Sequence, residues 1–183
     1  VPWLKGLVDS AFTQKEFEKD VKSITSTAGD DDYDAIVIKV LRRVKSRLTY
    51  RGDTKLWNVP EFWQDALTTY ESKTGDCEDG AILIYVLCRL CGVPANRLFL
   101  MVGNVKGGGH AWVGYRPTFN PTVFAFLDWC YWYDNRAVLY RDTYFIKNNV
   151  VYQGKQHEVY HKLWWACNED KGYFYINARN VGA

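Results

Sequence analysis

The 183 residues carry 23 Lys+Arg against 21 Asp+Glu, a formal net charge of +2, and the length suits one domain around one core. This near balance, with no dense basic run interleaved with aromatics, argues against nucleic acid as a partner. The longest apolar run, Ala81 to Cys88, stops at Arg89, short of the roughly 20 residues that cross a bilayer, so a soluble domain without a membrane span is expected.

The chain opens at Val1 with no methionine and none of the sections of a secretory leader, which leaves its compartment open. Removal of a leader would fit a periplasmic, secreted or virion-associated protein. The cysteines are Cys77, Cys88, Cys91, Cys130 and Cys167, an odd number in a chain large enough to fold without staples, so at least one thiol should be free. Aromatics make up 16% and gather in the second half, around Trp129 to Tyr133 and Trp164-Trp165, where sheet and core packing explains them better than a stacking surface.

In chain order, Phe12, Phe17, Val21 and Ile24 recur among Lys and Glu and predict a short amphipathic helix. From Asp31 to Tyr50, acids precede Ile36, Val37, Val40, Leu41, Val44 and Leu48 at three- and four-residue steps, with Lys and Arg toward the end, the charge order a helix dipole favours. The run Asp30-Asp31-Asp32-x-Asp34 lacks the Gly and distal Glu of an EF-hand loop and reads as helix capping. Arg51 to Val59 reads as a loop, and its Arg51-Gly52-Asp53 is too short to argue adhesion. Pro60 then opens a short helix through Tyr70.

Apolar residues surround the axis from Cys77 to Cys91, a buried central helix that Gly92-Val93-Pro94 ends. Cys88 and Cys91 sit at its apolar end with no second pair at zinc spacing, so they pack. Leu98–Val102, Ala111–Arg116 and Val123–Trp129 read as three antiparallel strands, separated by Gly107-Gly108-Gly109 and by Asn120-Pro121. Beyond Tyr133 the pattern predicts a strand at Asn149–Gln153, a helix at His157–Cys167 and a strand at Tyr173–Asn177. The expected organisation is a single domain, 1–183, with a helical N-terminal region over 1–70, a catalytic core over 71–133 and a C-terminal extension over 134–183.

Thr74-Gly75-Asp76-Cys77-Glu78-Asp79-Gly80 is polar and turn-prone and places Cys77 at the start of the buried helix. Unpaired N–H groups and the positive dipole end there favour a thiolate and can bind an oxyanion. A thiolate nucleophile needs an acid/base partner, for which His is suited. His157 and His161 lie four apart in the predicted helix and read as a solvated face. His110 follows three glycines, opens a strand and is the expected partner. Asp128, between apolar residues on the returning strand, fits the group that orients the imidazole.

These residues resemble the transglutaminase-like superfamily, and within it the bacterial transglutaminase-like cysteine proteinases. The resemblance rests on Gly75-Asp76-Cys77-Glu78-Asp79-x-Ala81, Gly109-His110-Ala111-Trp112 and Leu127-Asp128, with Trp57-x-x-Pro60-Glu61 upstream, over roughly residues 55 to 130. It implies a papain-like α+β core in which a helix carrying Cys77 packs on an antiparallel sheet carrying His110 and Asp128. The implied enzyme is a cysteine protease or amidase acting on a protein or peptide through an acyl-enzyme, with Trp57 as second oxyanion donor and no cofactor needed for the chemistry. It also implies a calcium site at Asp76, Glu78 and Asp79, although acids in a first helical turn equally suit the dipole without a metal. Gly80 stands where a Tyr is common, and nothing after Asp134 matches the family. Alternatives are a protein cross-linking transglutaminase, with a lysine amine replacing water, and an idle peptide- or glycan-binding module, against which the intact triad speaks. A thiol-redox role would need a second thiol near Cys77, which no sequence neighbour offers.

Overall fold

The computed structural model describes residues 1–29, 31–131, 143–147, 150–153 and 159–171. Helix α1, Pro2–Ala11, buries Leu4, Val8 and Ala11, and α2, Glu18–Thr25, follows a 3-10 turn at Lys15–Phe17 that buries Phe17. The single helix expected through Phe12 is therefore two elements. Phe12 is 58% exposed beyond the end of α1, so it adds nothing to the apolar stripe that Phe17 and Ile24 share.

Helix α3, Tyr33–Arg47, turns Ile36, Val37, Val40, Leu41 and Val44 inward, and its N-cap Asp32 accepts a hydrogen bond from the Ala35 N–H at 3.0 Å. The acidic run thus caps a helix, as expected. Asp20 of α2, buried, takes Arg43 of α3 and the Tyr70 hydroxyl at 3.1 Å as partners, which locks these helices in register. Two short elements differ from expectation. Asp53–Leu56 forms helix α4 where a loop was expected, and α5 spans Ala66–Ser72, capped by Asp65 and not opened by Pro60. The cause is capping: Asp65 Oδ1 accepts the Thr68 N–H at 2.9 Å, a bond proline cannot supply.

Helix α6, Cys77–Leu90, is buried continuously from Glu78 to Cys88 and is packed by α1, α3 and α5 on one side and by the sheet on the other. Its end is as read from Gly92, which adopts φ +91° and lets the Val93 N–H reach Cys88 O at 3.0 Å. Strands β1, Thr49–Tyr50, and β2, Thr74–Gly75, pair in parallel and bring the chain before α4 beside the chain before α6.

The three expected antiparallel strands are β3, Leu98–Val105, β4, Gly108–Tyr115, and β5, Phe124–Leu127. They continue into β6, Thr143–Lys147, β7, Val150–Gln153, and β8, Tyr160–Cys167, and β8 returns to β3, closing a six-stranded antiparallel barrel. The helix expected over His157–Cys167 is thus a strand from Tyr160. Eight residues rich in aromatics meet the free edge of β3, and ladder pairing there outweighs the local i, i+4 polar spacing. His161 lies exposed on that strand, whereas His157 and the expected strand Tyr173–Asn177 lie outside the described residues. One apolar cluster fills the space between helices and sheet; a second, with Phe99, Met101, Trp112, Tyr160 and Leu163, fills the barrel.

Candidate active site

Cys77 is the first residue of α6, held there by a tight start. Asp79 Oδ2 accepts the Asp76 N–H at 3.2 Å, Asp79 Oδ1 accepts the Gln64 N–H at 2.8 Å, and Gln64 Nε2 donates to Asp79 Oδ2 at 2.5 Å. A side chain at Gly75 would collide with Asp79, so the approach to Cys77 requires glycine.

His110 sits on β4 opposite Gly103 of β3 and is 7% exposed. Asp128 directly follows β5 and is 3% exposed. Antiparallel pairing of β4 with β5 brings them together, with His110 Nε2 and Asp128 Oδ2 2.7 Å apart. A carboxylate in that position accepts from Nε2–H, which leaves Nδ1 with its lone pair for a thiol proton. Asp128 is itself fixed: Oδ2 accepts the Tyr160 hydroxyl at 2.6 Å, and Oδ1 accepts the N–H groups of Cys130 at 2.9 Å and Tyr131 at 3.3 Å. The imidazole lies over Trp112 (6.0 Å, 19°) and against the edge of Tyr131 (4.9 Å, 88°), so it has little freedom to turn. Tyr160 escaped the sequence reading because its strand was read as helical.

Cys77 and His110 line one cavity of about 380 Å³, together with Lys45, Tyr50, Trp129 and Cys130. The Ala111 backbone N–H favours the thiolate form of Cys77. Burial, then the Glu78 carboxyl, whose Oε2 accepts the Cys77 thiol at 3.0 Å, push the thiol well above its ordinary range, against the smaller pull of Ala111. The lowering expected from a helix start is therefore overridden while Glu78 holds the thiol proton. All five cysteines are free, and Cys130 in the same cavity is a thiol that sequence adjacency did not reveal.

Beside Cys77 lies a carboxylate cluster. Oxygens of Asp53, Asp76 and Asp79, and of Asp53, Glu61 and Glu78, approach within 4.8 Å of one another. Burial raises the pKa values of Asp76, Glu78 and Asp79, most strongly that of Glu78 among neighbouring acids. Asp53 Oδ1, Asp76 Oδ1 and Glu78 Oε1 are buried without a hydrogen-bond donor, whereas both oxygens of Asp79 accept bonds. Unsatisfied hard oxygen donors in one place fit calcium. Asp53 and Glu61 stand beside Asp76, Glu78 and Asp79 in these groups, and Asp79 also holds the start of α6. The signal for Asp53 was in Arg51-Gly52-Asp53, too short to interpret alone. Trp57 is 44% exposed, with its ring 5.2 Å from that of Phe62, and is not among the residues lining the Cys77 cavity.

A buried helix that starts with cysteine and packs on a sheet carrying a hydrogen-bonded imidazole and carboxylate defines the class of papain-like α+β cores. The family model of the transglutaminase-like superfamily matches residues 20–118, more than half of the chain, and the chain belongs to that superfamily. Among solved structures it is similar to Legionella pneumophila LapG at 15% identity and a TM-score of 0.60, covering 100% of this chain and 93% of that one. The EGTA-treated form of LapG gives 15% identity and a TM-score of 0.60, covering 98% and 88%, and the calcium-bound form 18% and 0.52, covering 84% and 87%. At such identities the likeness is one of fold. No curated protein matches the chain significantly.

Proposed function

We propose that the protein is a cysteine hydrolase that cleaves a peptide or other amide bond through Cys77, His110, Asp128 and an acyl-enzyme. The observation that carries this reading is the 2.7 Å pair of His110 Nε2 and Asp128 Oδ2 on the wall of the cavity that also holds Cys77. His110 Nδ1 takes the thiol proton as Cys77 Sγ attacks the carbonyl carbon, and the imidazolium, held by Asp128, returns it to the leaving amine. The Cys77 N–H, at the first helical position and with no intrahelical acceptor, faces the developing oxyanion. Water, deprotonated by His110, then releases the acid.

Calcium held among Asp53, Glu61, Asp76, Glu78 and Asp79 would offset the carboxylate charge next to the nucleophile. The chain's own residues carry every step of acyl transfer. Among the described residues no helix is long and apolar enough to cross a membrane. The substrate class is a protein or peptide, by fold kinship with LapG.

The test is iodoacetamide alkylation with calcium chloride present, the modified cysteine located by peptide mass analysis. Cys77 should react faster than the other four thiols below the ordinary thiol range near 8.5, and His110→Ala should slow it at least about tenfold. Equal, slow alkylation of all five in both proteins would overturn the reading and favour an idle binding module.

A further inference from the structure

We infer that the Tyr50 hydroxyl is the second oxyanion donor of this site, paired with the Cys77 backbone N–H. The inference rests on the hydrolase reading above and assigns a catalytic role to a side chain outside the triad.

The argument begins with the short β1–β2 ladder. Tyr50 is in register with Gly75, two residues before the nucleophile, and the pairing is pinned by the Thr49 N–H on Lys73 O and the Arg51 N–H on Gly75 O, both at 2.9 Å. A two-residue parallel ladder contributes little to the core, and both of its β1 residues are exposed. What it does is hold the Tyr50 side chain beside the start of α6. From there Tyr50 lines two cavities, the one of about 380 Å³ with Cys77 and His110 and a second of about 700 Å³ with Arg51, Asp53, Pro60 and Asp76. A polypeptide running across Cys77 from one cavity to the other passes the Tyr50 ring.

An oxyanion donor must be uncommitted, accessible and on the α6 side of the cavity, and the other side chains around Cys77 meet these conditions less well than Tyr50. Gln64 Nε2 donates to Asp79 Oδ2 and to Thr74 O. Trp129 Nε1 is buried against Gly80, out of reach of a substrate. Lys45 Nζ keeps two of its three N–H donors but is anchored on Trp129 O at 2.6 Å, on the Trp129 side of the cavity. Tyr131 stands edge-on to His110, on the imidazole side of the cavity, and Trp57 lies outside it. Tyr50 is 59% exposed, rests its ring 5.8 Å from that of Trp129, and gives its hydroxyl to no described residue. Desolvation, then the neighbouring Cys77 and Asp76, raise the phenol above its ordinary range, so it remains a donor wherever the thiol chemistry runs.

In the step concerned, the Sγ–C bond forms, the carbonyl π pair moves onto oxygen, the thiol proton goes to His110, and the oxyanion accepts from Tyr50 O–H and Cys77 N–H. Collapse reforms the carbonyl and breaks the bond to the leaving group. Alkylation by iodoacetamide is a displacement at saturated carbon and generates no oxyanion. Comparing the two reactions at the same sulfur therefore separates oxyanion binding from thiol activation.

The experiment follows acylation of Cys77 by p-nitrophenyl acetate, read as the p-nitrophenolate burst, and its alkylation by iodoacetamide, in wild type and Tyr50→Phe with calcium chloride present. The variant keeps the ring against Trp129. Acylation should fall at least about tenfold, toward the 10²–10³ typical of a lost oxyanion donor, while alkylation changes less than about threefold. Fast acylation of both proteins overturns the Tyr50 assignment and leaves the hydrolase reading standing. Equal loss of both reactions also overturns it, since Tyr50 would then be tuning the thiol. Wild-type Cys77 acylated no faster than the buried thiols overturns the hydrolase reading, and the assignment with it.

Discussion

At the scale of single residues, the site depends on what holds the imidazole and on how many buried acids share few protons. Asp128 accepts from His110, Tyr160, Cys130 and Tyr131, so Asp128→Asn would keep the geometry and invert the hydrogen-bonding role at Oδ2. With a cleavable substrate, the expected loss in kcat is of order 10³–10⁴-fold from the wrong tautomer. Tyr160→Phe deletes one of the bonds to the same oxygen and should lower stability by about 1 kcal/mol, read by denaturant titration, with a smaller loss in kcat. The acid cluster gives a pH signature. Asp76, Glu78 and Asp79 have folded-state pKa values above their unfolded ones, so their contribution to stability is fully present below the unfolded range near about 4 and is lost as pH rises through the folded values. In the presence of a chelator, Tm should therefore be higher at pH 5 than at pH 8. Calcium chloride should raise the pH 8 value most, and Glu78→Gln should flatten the slope. A Tm that does not change with pH or calcium would remove this account of the cluster.

At the scale of elements, α6 and its neighbours explain both what was legible and what was not. The apolar run after Cys77 and the strand around His110 announce themselves through composition and a glycine-rich turn, and β4 with β5 then brings Asp128 to His110 by simple hairpin return. Strand β8 did not announce itself, because Tyr160–Cys167 becomes a strand only when the edge of β3 is available, a non-local pairing absent from any local window. Asp53 was invisible for a related reason: its place beside Asp76 appears only when β1 pairs with β2 and brings α4 to the start of α6. Gly80, where a Tyr is common in the family, is accounted for by the same packing. The indole of Trp129 fills the space a side chain at position 80 would need. Gly80→Ala should force Trp129 from the wall of the cavity and lower stability by about 1–3 kcal/mol despite the better helix propensity of alanine. A stabilised variant in thermal denaturation would show that Trp129 yields freely.

At the scale of the whole molecule, barrel closure is what turns a hairpin bearing His110 and Asp128 into a fixed dyad. Closure brings β8 beside β3, and with β8 comes Tyr160, whose ring lies 5.0 Å from Trp112 inside the barrel while its hydroxyl reaches Asp128. The seam passes through Gly103, directly opposite His110 on β4 and at a register shift in the β3–β8 ladder. A Cβ there would overlap the backbone carbonyl of Lys162, which cannot rotate away as a side chain could. Gly103→Ala should therefore open the seam at the level of the dyad and cost about 3 kcal/mol or more. The expected signature is joint: hydrogen exchange of the β3 and β8 amides quickens, and His110 loses its effect on Cys77 alkylation while the helices keep their protection. If β8 protection and the alkylation rate both survive the substitution, the dyad is held by the β4–β5 hairpin alone, and closure serves the fold and not the chemistry.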